Sequence, residues 1–383
     1  ATDNDDLLRI YISGNITAIK PVSDFAGSWK ATKPENTGSF TAVGYEFAKA
    51  LRKKLNVPVG IIECSWGGKP VQSFVSDAAL KACPEAKSML AQKAAAIKNY
   101  DPEKAKKSYE AQVKKWKVAD AKWQTEKKGR RPRHPRSPQH PALNSSMSSA
   151  IYNGMIAPIA GYGARGAIWY QGESNAHGEQ AKNYGELLEC LIQDWRKQWD
   201  SNLSFYYVQL ANFTRGGKNH PDWVEVQDEM RRLLDDSNSK TGHVGMATIN
   251  EIGHPTNIHP GNKKDVGQRL ARWAFKQDYG MKDVIVSGPL YKSHAVKGNA
   301  IEVSLDYAVG LKSRDGKPLG SFELAGADNQ WKPAEAKIVG QKIVVSSKQV
   351  SKPTQARYAW KSDPTKANLI NAEGLPTSCF ITK

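Results

Sequence analysis

Short apolar runs alternate with helical patterns through the first two thirds of this 383-residue chain. Apolar residues recur at helical spacing over residues 40–55, and the apolar run at residues 57–62 predicts a strand directly after that helix. Further strands are predicted over residues 166–170, 203–210 and 243–249, with amphipathic helical segments between them. This alternation is typical of βαβ units, so it predicts an α/β fold with a doubly wound, mainly parallel sheet.

The alternation is interrupted once and ends well before the last residue. Residues 76–142 are rich in Ala, Lys and Glu and lead into a Pro/Arg-rich stretch, which indicates a basic helical insertion with a linker. From about residue 284, alternating apolar and polar residues between Gly and Pro turns predict short strands. We therefore predict residues 1–75 as the first part of an α/β hydrolase core, 76–142 as the insertion, 143–280 as the second part of the core, and 281–383 as a β-rich C-terminal domain.

The formal net charge of +17 is concentrated in one stretch of the chain. Residues 98–136 contain 14 Lys and Arg against 5 Asp and Glu, which is about half of the total excess. We interpret this charge as a solvated helix and linker, in preference to the alternative of a nucleic-acid-binding arm. No apolar run approaches the roughly 20 residues of a membrane span, and the cysteines form no C-x-x-C pair, so we predict no membrane segment, metal site or cofactor.

One polar cluster lies between the last predicted strand of the core and the helix that follows it. It contains Glu251, His254 and His259. Histidine is the usual general base for activating a hydroxyl, and a carboxylate is needed to orient its second ring nitrogen. His259 and Glu251 together supply both parts. The alternative is that these residues only hydrogen-bond within a tight loop.

A second cluster, Ser-Trp-Gly-Gly at residues 65–68, directly follows a predicted strand. Gly67 and Gly68 lack side chains, so their backbone N–H groups can approach a ligand oxygen closely, as an oxyanion site requires. Ser65 is a candidate nucleophile, although it lacks the flanking glycines of a G-x-S-x-G elbow. The alternative is a serine that ends the strand and positions the glycine turn.

A third cluster follows the strand predicted at residues 166–170. Gln171, Glu173 and Asn175 supply amide groups and one carboxylate, which suit an oxyanion or a sugar hydroxyl. An ordinary loop is again the alternative. Trp169 precedes the cluster, and we favour a position in the core for it over a sugar-binding role.

Five motifs in the same order resemble the sialate O-acetylesterase family of the SGNH hydrolase superfamily. They are Ser-Trp-Gly-Gly at residues 65–68, Tyr-Asn-Gly-Met-Ile at 152–156, Ile-Trp-Tyr-Gln-Gly-Glu-Ser-Asn at 168–175, Ile-His-Pro at 258–260 and Arg-Tyr-Ala-Trp at 357–360. The resemblance covers nearly the whole chain outside the basic insertion. It implies an SGNH-hydrolase-like core and the removal of acetyl groups from sialic acid or other acetylated sugars.

The resemblance also implies roles for individual residues. His259 matches the catalytic base of the family, and the oxyanion and substrate-positioning blocks correspond to Gly67, Gly68, Gln171, Glu173 and Asn175. The nucleophilic serine of the family lies in a Gly-Gln-Ser-Asn-Met motif that does not occur in this sequence. Many relatives have an aspartate where this chain has Asn257 or Glu251, so Glu251 is our candidate for the acid that orients His259.

The function implied by the resemblance is a serine/histidine esterase that needs no cofactor and acts on an acetylated carbohydrate. Three explanations are open for the missing motif: the chain is truncated, the nucleophile segment was cleaved and remains bound as a separate chain, or Ser65 has replaced it. The alternative function is a non-catalytic carbohydrate-binding relative, or an inactive fragment, that has lost the nucleophile. The family implies a secreted or periplasmic protein, or a lysosome-like compartment in a eukaryote.

Overall fold

The computed structural model of the protein describes residues 4–240 and 242–382. The chain divides into two compact units. The first unit consists of the residues up to 15, residues 26–71 and the residues from 160 onward, whereas the second unit consists of residues 16–25 and 72–159. The finer division into four segments stays a prediction.

The α-helices are α1 (Pro34–Thr37), α2 (Ala42–Leu55), α3 (Asp77–Ala82), α4 (Lys87–Lys98), α5 (Pro102–Glu126), α6 (Gly178–Lys182), α7 (Tyr184–Trp199), α8 (Pro221–Lys240) and α9 (Lys263–Gln277). The strands before residue 280 are β1 (Asp5–Ser13), β2 (Gly27–Thr32), β3 (Val59–Glu63), β4 (Gly166–Trp169), β5 (Ser204–Val208) and β6 (Val244–Ala247). The later strands are β7 (Leu290–Lys297), β8 (Ala300–Asp306), β9 (Lys312–Ser313), β10 (Phe322–Ala325), β11 (Lys332–Pro333), β12 (Glu335–Val339), β13 (Lys342–Ser346), β14 (Gln355–Tyr358), β15 (Leu369–Ile370) and β16 (Phe380–Ile381).

Parallel strand pairs form the α/β part of the first unit. β3 pairs parallel with β1, which also pairs antiparallel with β2. β4, β5 and β6 form a parallel three-stranded sheet with β5 in the centre, and β5 is buried at all five positions. A central parallel strand covered on both faces is expected to be uniformly apolar, which explains why its sequence lacks alternation. The predicted α/β class with mainly parallel pairing is confirmed.

Helix α2 forms where the sequence predicts it, except that it begins at Ala42 instead of residue 40. Thr41 is the N-cap and accepts a hydrogen bond from the Gly44 N–H. Phe40 precedes the helix instead of belonging to it, and its ring lies 5.9 Å from that of Tyr45. An apolar pair across an N-cap fixes the direction in which the chain enters the helix. The helix ends at Asn56, whose φ of 54° is left-handed.

The C-terminal part of the first unit is β-rich, as predicted. β12, β13, β8 and β7 form one four-stranded sheet, and β11, β10, β14 and β16 form another. Alternate residues of β8 and β13 are buried. These side chains share one core with residues from the other sheet, including Ile301, Val303, Ile343, Val345, Phe322, Leu324, Tyr358 and Phe380. Burial of one face of each sheet accounts for the alternating pattern in the sequence.

The second unit contains α3, α4 and α5 together with short helical turns. A π-helical turn over Tyr152–Ile156 contains the Tyr-Asn-Gly-Met-Ile motif. Asn153 donates hydrogen bonds through Nδ2 to the backbone oxygens of Ala18 and Ile19, at 3.1 and 3.0 Å. A β-carbon on Gly154 would lie 2.4 Å from the Ile16 carbonyl oxygen. This motif therefore holds residues 16–25 in place by close backbone approach.

Two negative findings apply to residues 4–240 and 242–382. No helix there is long and apolar enough to cross a membrane. No disulfide joins any of the four cysteines, all of which lie in the described ranges.

Candidate functional site

The turn that follows β4 carries three of the predicted site residues and depends on one glycine. Glu173–Asn175 form a 3-10 turn, and Gly172 precedes it with φ 152° and ψ −24°. Side chains rarely adopt this backbone conformation, and a β-carbon there would lie 3.1 Å from the side chains of Leu210 and Met230. Gly172 therefore lets the chain turn sharply at the end of the strand.

Asn175 is fully buried and organises this turn. Its Oδ1 accepts hydrogen bonds from the Val71 backbone N–H and from Gln171 Nε2, both at 2.9 Å. Its Nδ2 donates to Gln180 Oε1 at 2.9 Å. One amide side chain thus joins the loop after β3 to the turn after β4. In this arrangement Asn175 positions the site instead of presenting its amide to a ligand.

Gln171 is held at both ends of its side-chain amide. Its Nε2 donates to Asn175, and its Oε1 accepts from the Tyr184 hydroxyl at 2.8 Å. Burial raises the pKa of the Tyr184 hydroxyl above its ordinary value, so this phenol stays protonated and acts as a donor. Trp169 Nε1 donates to the same hydroxyl at 3.4 Å, and Trp169 lies in the core as predicted.

Glu173 is the carboxylate of this turn and interacts electrostatically with His259. Burial raises the pKa of the Glu173 carboxyl above its ordinary value. Hydrogen bonds from its own N–H and that of Gly172, together with the charges of His259 and Lys263, act in the opposite direction. A positive neighbour stabilises the ionised carboxylate. The structure therefore brings the turn after β4 to the histidine loop.

Lys263 is a member of this cluster that the sequence analysis did not single out as a site residue. It is the first residue of α9, and its Nζ lies 5.3 Å from the centre of the Tyr170 ring. Burial lowers the pKa of the Lys263 ammonium, whereas Glu173 opposes this effect. The available signal was the position of Lys263 at a helix start four residues after His259. Its side chain adds a positive charge beside the two candidate catalytic groups.

The loop that presents His259 is built by its neighbours. His254 Nδ1 accepts hydrogen bonds from the backbone N–H groups of Thr256 and Asn257, at 3.2 and 3.1 Å. Asn257 Oδ1 accepts from the His259 backbone N–H at 3.0 Å. His254 is therefore a structural residue of the loop. Within residues 4–240 and 242–382, the ring nitrogens of His259 make no hydrogen bond to another residue.

Glu251, the acid predicted to orient His259, makes an ion pair with Arg269. The Arg269 guanidinium donates to Glu251 Oε1 and also to the Thr248 backbone oxygen, the latter at 2.6 Å. Glu251 Oε2 is buried and has no hydrogen-bond partner among the described residues. The contacts of this carboxylate thus lie toward α9. Glu173, by comparison, interacts electrostatically with His259.

The loop at residues 65–68 lies at the end of β3 and is open. Ser65 is exposed, and its hydroxyl donates to Glu63 Oε1 at 2.8 Å. Glu63 Oε2 accepts from the Thr41 backbone N–H at 3.1 Å. Gly67 and Gly68 are exposed, and a β-carbon on either would contact nothing. Their backbone is therefore accessible to a ligand, as an oxyanion-binding role requires.

No group of three or more His, Cys, Asp or Glu residues suited to hold a metal ion occurs in the part of the chain that the structure describes.

The comparisons with known proteins agree with one another. The family described as "Carbohydrate esterase, sialic acid-specific acetylesterase" matches residues 142–276. The sialate O-acetylesterase of Rattus norvegicus is 25% identical to 93% of this chain, and that of Homo sapiens is 24% identical to 93% of it. The chain covers 67% of the rat protein and 64% of the human protein, so it spans about two thirds of these relatives.

A solved structure extends the comparison to the whole fold. The crystal structure of a carbohydrate acetylesterase from Xanthomonas citri matches with a TM-score of 0.78 and 31% identity, over 99% of this chain and 74% of that one. The parallel α/β core and its match to this structure identify the chain as a carboxylic ester hydrolase. The identity and the coverage of this match are also high enough to assign the chain to a family. The chain belongs to the sialic acid-specific acetylesterase family of carbohydrate esterases.

Proposed function

We propose that this protein is an O-acetylesterase that removes acetyl esters from sialic acid or other acetylated sugars by a serine/histidine mechanism. The observation that supports this most is the electrostatic cluster of Glu173, His259 and Lys263 beyond the end of β4. A general base near a carboxylate is the arrangement that ester hydrolysis by a hydroxyl nucleophile requires. The substrate class comes from the family, whose named members act on sialate or carbohydrate acetyl esters.

In the proposed reaction His259 first takes the proton of a serine hydroxyl, whose oxygen attacks the acetyl carbonyl. The tetrahedral oxyanion accepts hydrogen bonds from the backbone N–H groups of Gly67 and Gly68. His259 then gives its proton to the sugar oxygen as the ester bond breaks, which leaves an acetyl-serine. In the second half of the reaction His259 deprotonates a water, whose oxygen attacks the acetyl-serine, and the proton then passes from His259 to the serine oxygen as acetate leaves. No cofactor takes part.

The carboxylate assigned to His259 in this proposal is Glu173. Its negative charge stabilises the imidazolium that forms at each proton transfer. Glu251, predicted from the sequence for the same role, is retained as the competing candidate because the loop between residues 251 and 259 is short. Glu173→Gln and Glu251→Gln remove one charge each with little change in volume, so the two assignments are separable by rate.

Two sources of the serine fit the proposal. One is an amino-terminal segment with the Gly-Gln-Ser-Asn-Met motif of the family, separate from these residues because the chain is truncated or because the segment was cleaved and stays bound as a partner. The other is Ser65, which is exposed but donates its hydrogen bond to Glu63. That contact favours the separate segment, because a serine poised for attack donates to its general base instead.

The test is hydrolysis of p-nitrophenyl acetate and of an O-acetylated sialic acid by the parent chain and by single variants. We expect His259→Gln to lower kcat/KM by about 10²–10⁴-fold, which is the usual contribution of a general base. Glu173→Gln should lower kcat/KM more than Glu251→Gln. Loss of activity in Ser65→Ala identifies Ser65 as the nucleophile. Full activity in His259→Gln would contradict the proposed mechanism.

A non-catalytic carbohydrate-binding protein is the second candidate, and the hydrogen bond of Ser65 to Glu63 is the observation that favours it. It predicts that the parent chain binds an O-acetylated sialic acid in calorimetry while releasing no acetate. Adding a synthetic peptide with the Gly-Gln-Ser-Asn-Met motif distinguishes the cases, because it restores turnover only if the rest of the machinery is intact.

For the location of the protein we propose the cell exterior, a periplasm or a lysosome-like compartment, as the family resemblance implies. Fractionation of the native source with an antibody against the chain tests this.

A further inference from the structure

The long helix α5 has two faces of different character. Residues 127–136, which we call the strap, follow the helix and fold back along one face. Trp116 Nε1 donates to the Pro132 backbone oxygen at 3.1 Å, and Trp123 Nε1 donates to that of Gly129 at 3.0 Å. Asp120, buried on this face, accepts two hydrogen bonds from Arg131, at 2.8 and 3.1 Å. The aromatic face of α5 is therefore occupied by its own chain.

The opposite face of α5 is rich in lysine. Positions spaced three and four apart share one side of a helix. Seven positions of this side, which we call the lysine face, are Lys104, Lys107, Ala111, Lys114, Lys115, Val118 and Lys122. All seven are exposed, and none is acidic. From its first to its last lysine the face extends about 27 Å along the helix at 1.5 Å per residue.

These lysines have no internal partner that would explain them. Within residues 4–240 and 242–382, none of the five forms an ion pair or a side-chain hydrogen bond. Val118 lies among them and is 73% exposed. The strap adds Arg130, Arg133 and Arg136, all exposed, to the same unit. Like charges held close together repel each other, and no ion pair among the described residues offsets this repulsion. An anion of matching length would therefore reduce the repulsion between these lysines.

The composition of the face favours one kind of polyanion over two others. A membrane-bound helix needs a broad apolar face beside its lysines, and the lysine face offers only Ala111 and Val118. Single-stranded nucleic acid is held by stacking on free aromatic rings, but Trp116 and Trp123 are covered by the strap. Base-edge reading relies on bidentate side chains, whereas lysine acts as a point charge. A flexible chain of carboxylates or sulfates needs only such point charges.

We propose that the lysine face of α5 binds an anionic polysaccharide, a linear glycan bearing carboxylate or sulfate groups. The choice of a glycan rests on the proposed function, because a sugar esterase gains from being held on the polymer that carries its substrate. The site is separate from the predicted catalytic residues, none of which belongs to the second unit. Binding therefore needs no turnover, and esterase activity needs no lysine face.

The experiment measures retention of the full chain on immobilised polygalacturonate, with dextran as the neutral polymer and duplex DNA as the nucleic acid. The test variant replaces the five lysines of the face by Gln. The control variant replaces five exposed lysines elsewhere by Gln, namely Lys312, Lys317, Lys337, Lys348 and Lys352. Both variants lose the same charge, and thermal unfolding verifies that both are folded.

We expect the parent and the control variant to bind polygalacturonate, with affinity that falls steeply as salt rises, and the lysine-face variant to bind at least about tenfold more weakly. Hydrolysis of p-nitrophenyl acetate should be the same in all three, so failure of the esterase proposal is seen independently. Equal loss of binding in both variants would overturn the proposal in favour of net charge alone. Tighter binding of the parent to duplex DNA would overturn it in favour of nucleic acid, and absence of binding at low salt would overturn it outright.

Discussion

Replacing Asn175 by Ala should destabilise the protein by about 2–6 kcal/mol. The change removes the acceptor of two buried donors, the Val71 backbone N–H and Gln171 Nε2, which then have no bonded oxygen. Each unsatisfied buried donor costs about 1–3 kcal/mol, whereas the third partner, Gln180 Oε1, is partly exposed and can bond to water. The expected cost is therefore set by the two donors to Oδ1.

Urea-induced unfolding, followed by tryptophan fluorescence, measures this free energy directly. Asn175→Asp is the matched control, because it keeps an oxygen at the Oδ1 position and Gln180 can rotate its amide to donate to the other oxygen. We expect the Asp variant to lose less than half as much stability as the Ala variant. A loss below about 1 kcal/mol for Asn175→Ala, or equal losses for both variants, would refute the role given to this amide.

Three further predictions concern the same unit. Gly172→Ala should cost about 1–3 kcal/mol of unfolding free energy, because its φ of 152° strains any side chain. Gly38→Ala, at a φ of −64° with open space around it, is the control and should change little. Burial raises the pKa of Glu173 in the folded state, so stability present below the unfolded pKa is lost as pH rises through the folded pKa. Glu173→Gln removes this loss, so its stability relative to the parent should grow as pH rises above about 4 in urea unfolding, while esterase activity falls. A constant difference would contradict the burial argument. Burial also raises the pKa of the Cys64 thiol from 9.0 to about 11. Iodoacetamide at neutral pH should therefore label Cys64 far more slowly in the native chain than in urea, as read by peptide mass spectrometry, and equal rates would contradict this.

Much of the architecture could be predicted because its signals are local. In α2 the buried residues recur at helical spacing, and in β5 they are consecutive. Each pattern can be read from a short stretch of sequence, because it depends on which residues of that element are buried. The boundaries were less well predicted. The strand expected over residues 57–62 is Val59–Glu63 and only partly buried, and that expected over residues 203–210 is Ser204–Val208. Leu203 and Leu210 flank β5 and are buried without belonging to the strand, so hydropathy overestimates the length of this strand.

The candidate site could be predicted as a set of loops but not as a set of contacts. The sequence placed Gln171, Glu173 and Asn175 after one strand and His259 in another loop, and the structure has both. It also suggested that amides such as Gln171 face a ligand, whereas Tyr184 and Asn175 occupy both ends of that side chain. A sequence does not show whether a side-chain amide is already hydrogen-bonded, because its partners come from other elements of the fold.

The sequence by itself determined the fold class, the family and the histidine loop, since these depend on short-range periodicity and on motifs read along the chain. Only the tertiary structure showed that Glu173 lies near enough to His259 for their charges to interact. Glu251 is near His259 in sequence, yet it forms an ion pair with Arg269 of α9. Glu173 is remote in sequence, yet the turn after β4 brings it to the histidine. Electrostatic interaction depends on distance through space and on burial, and neither is set by separation along the chain.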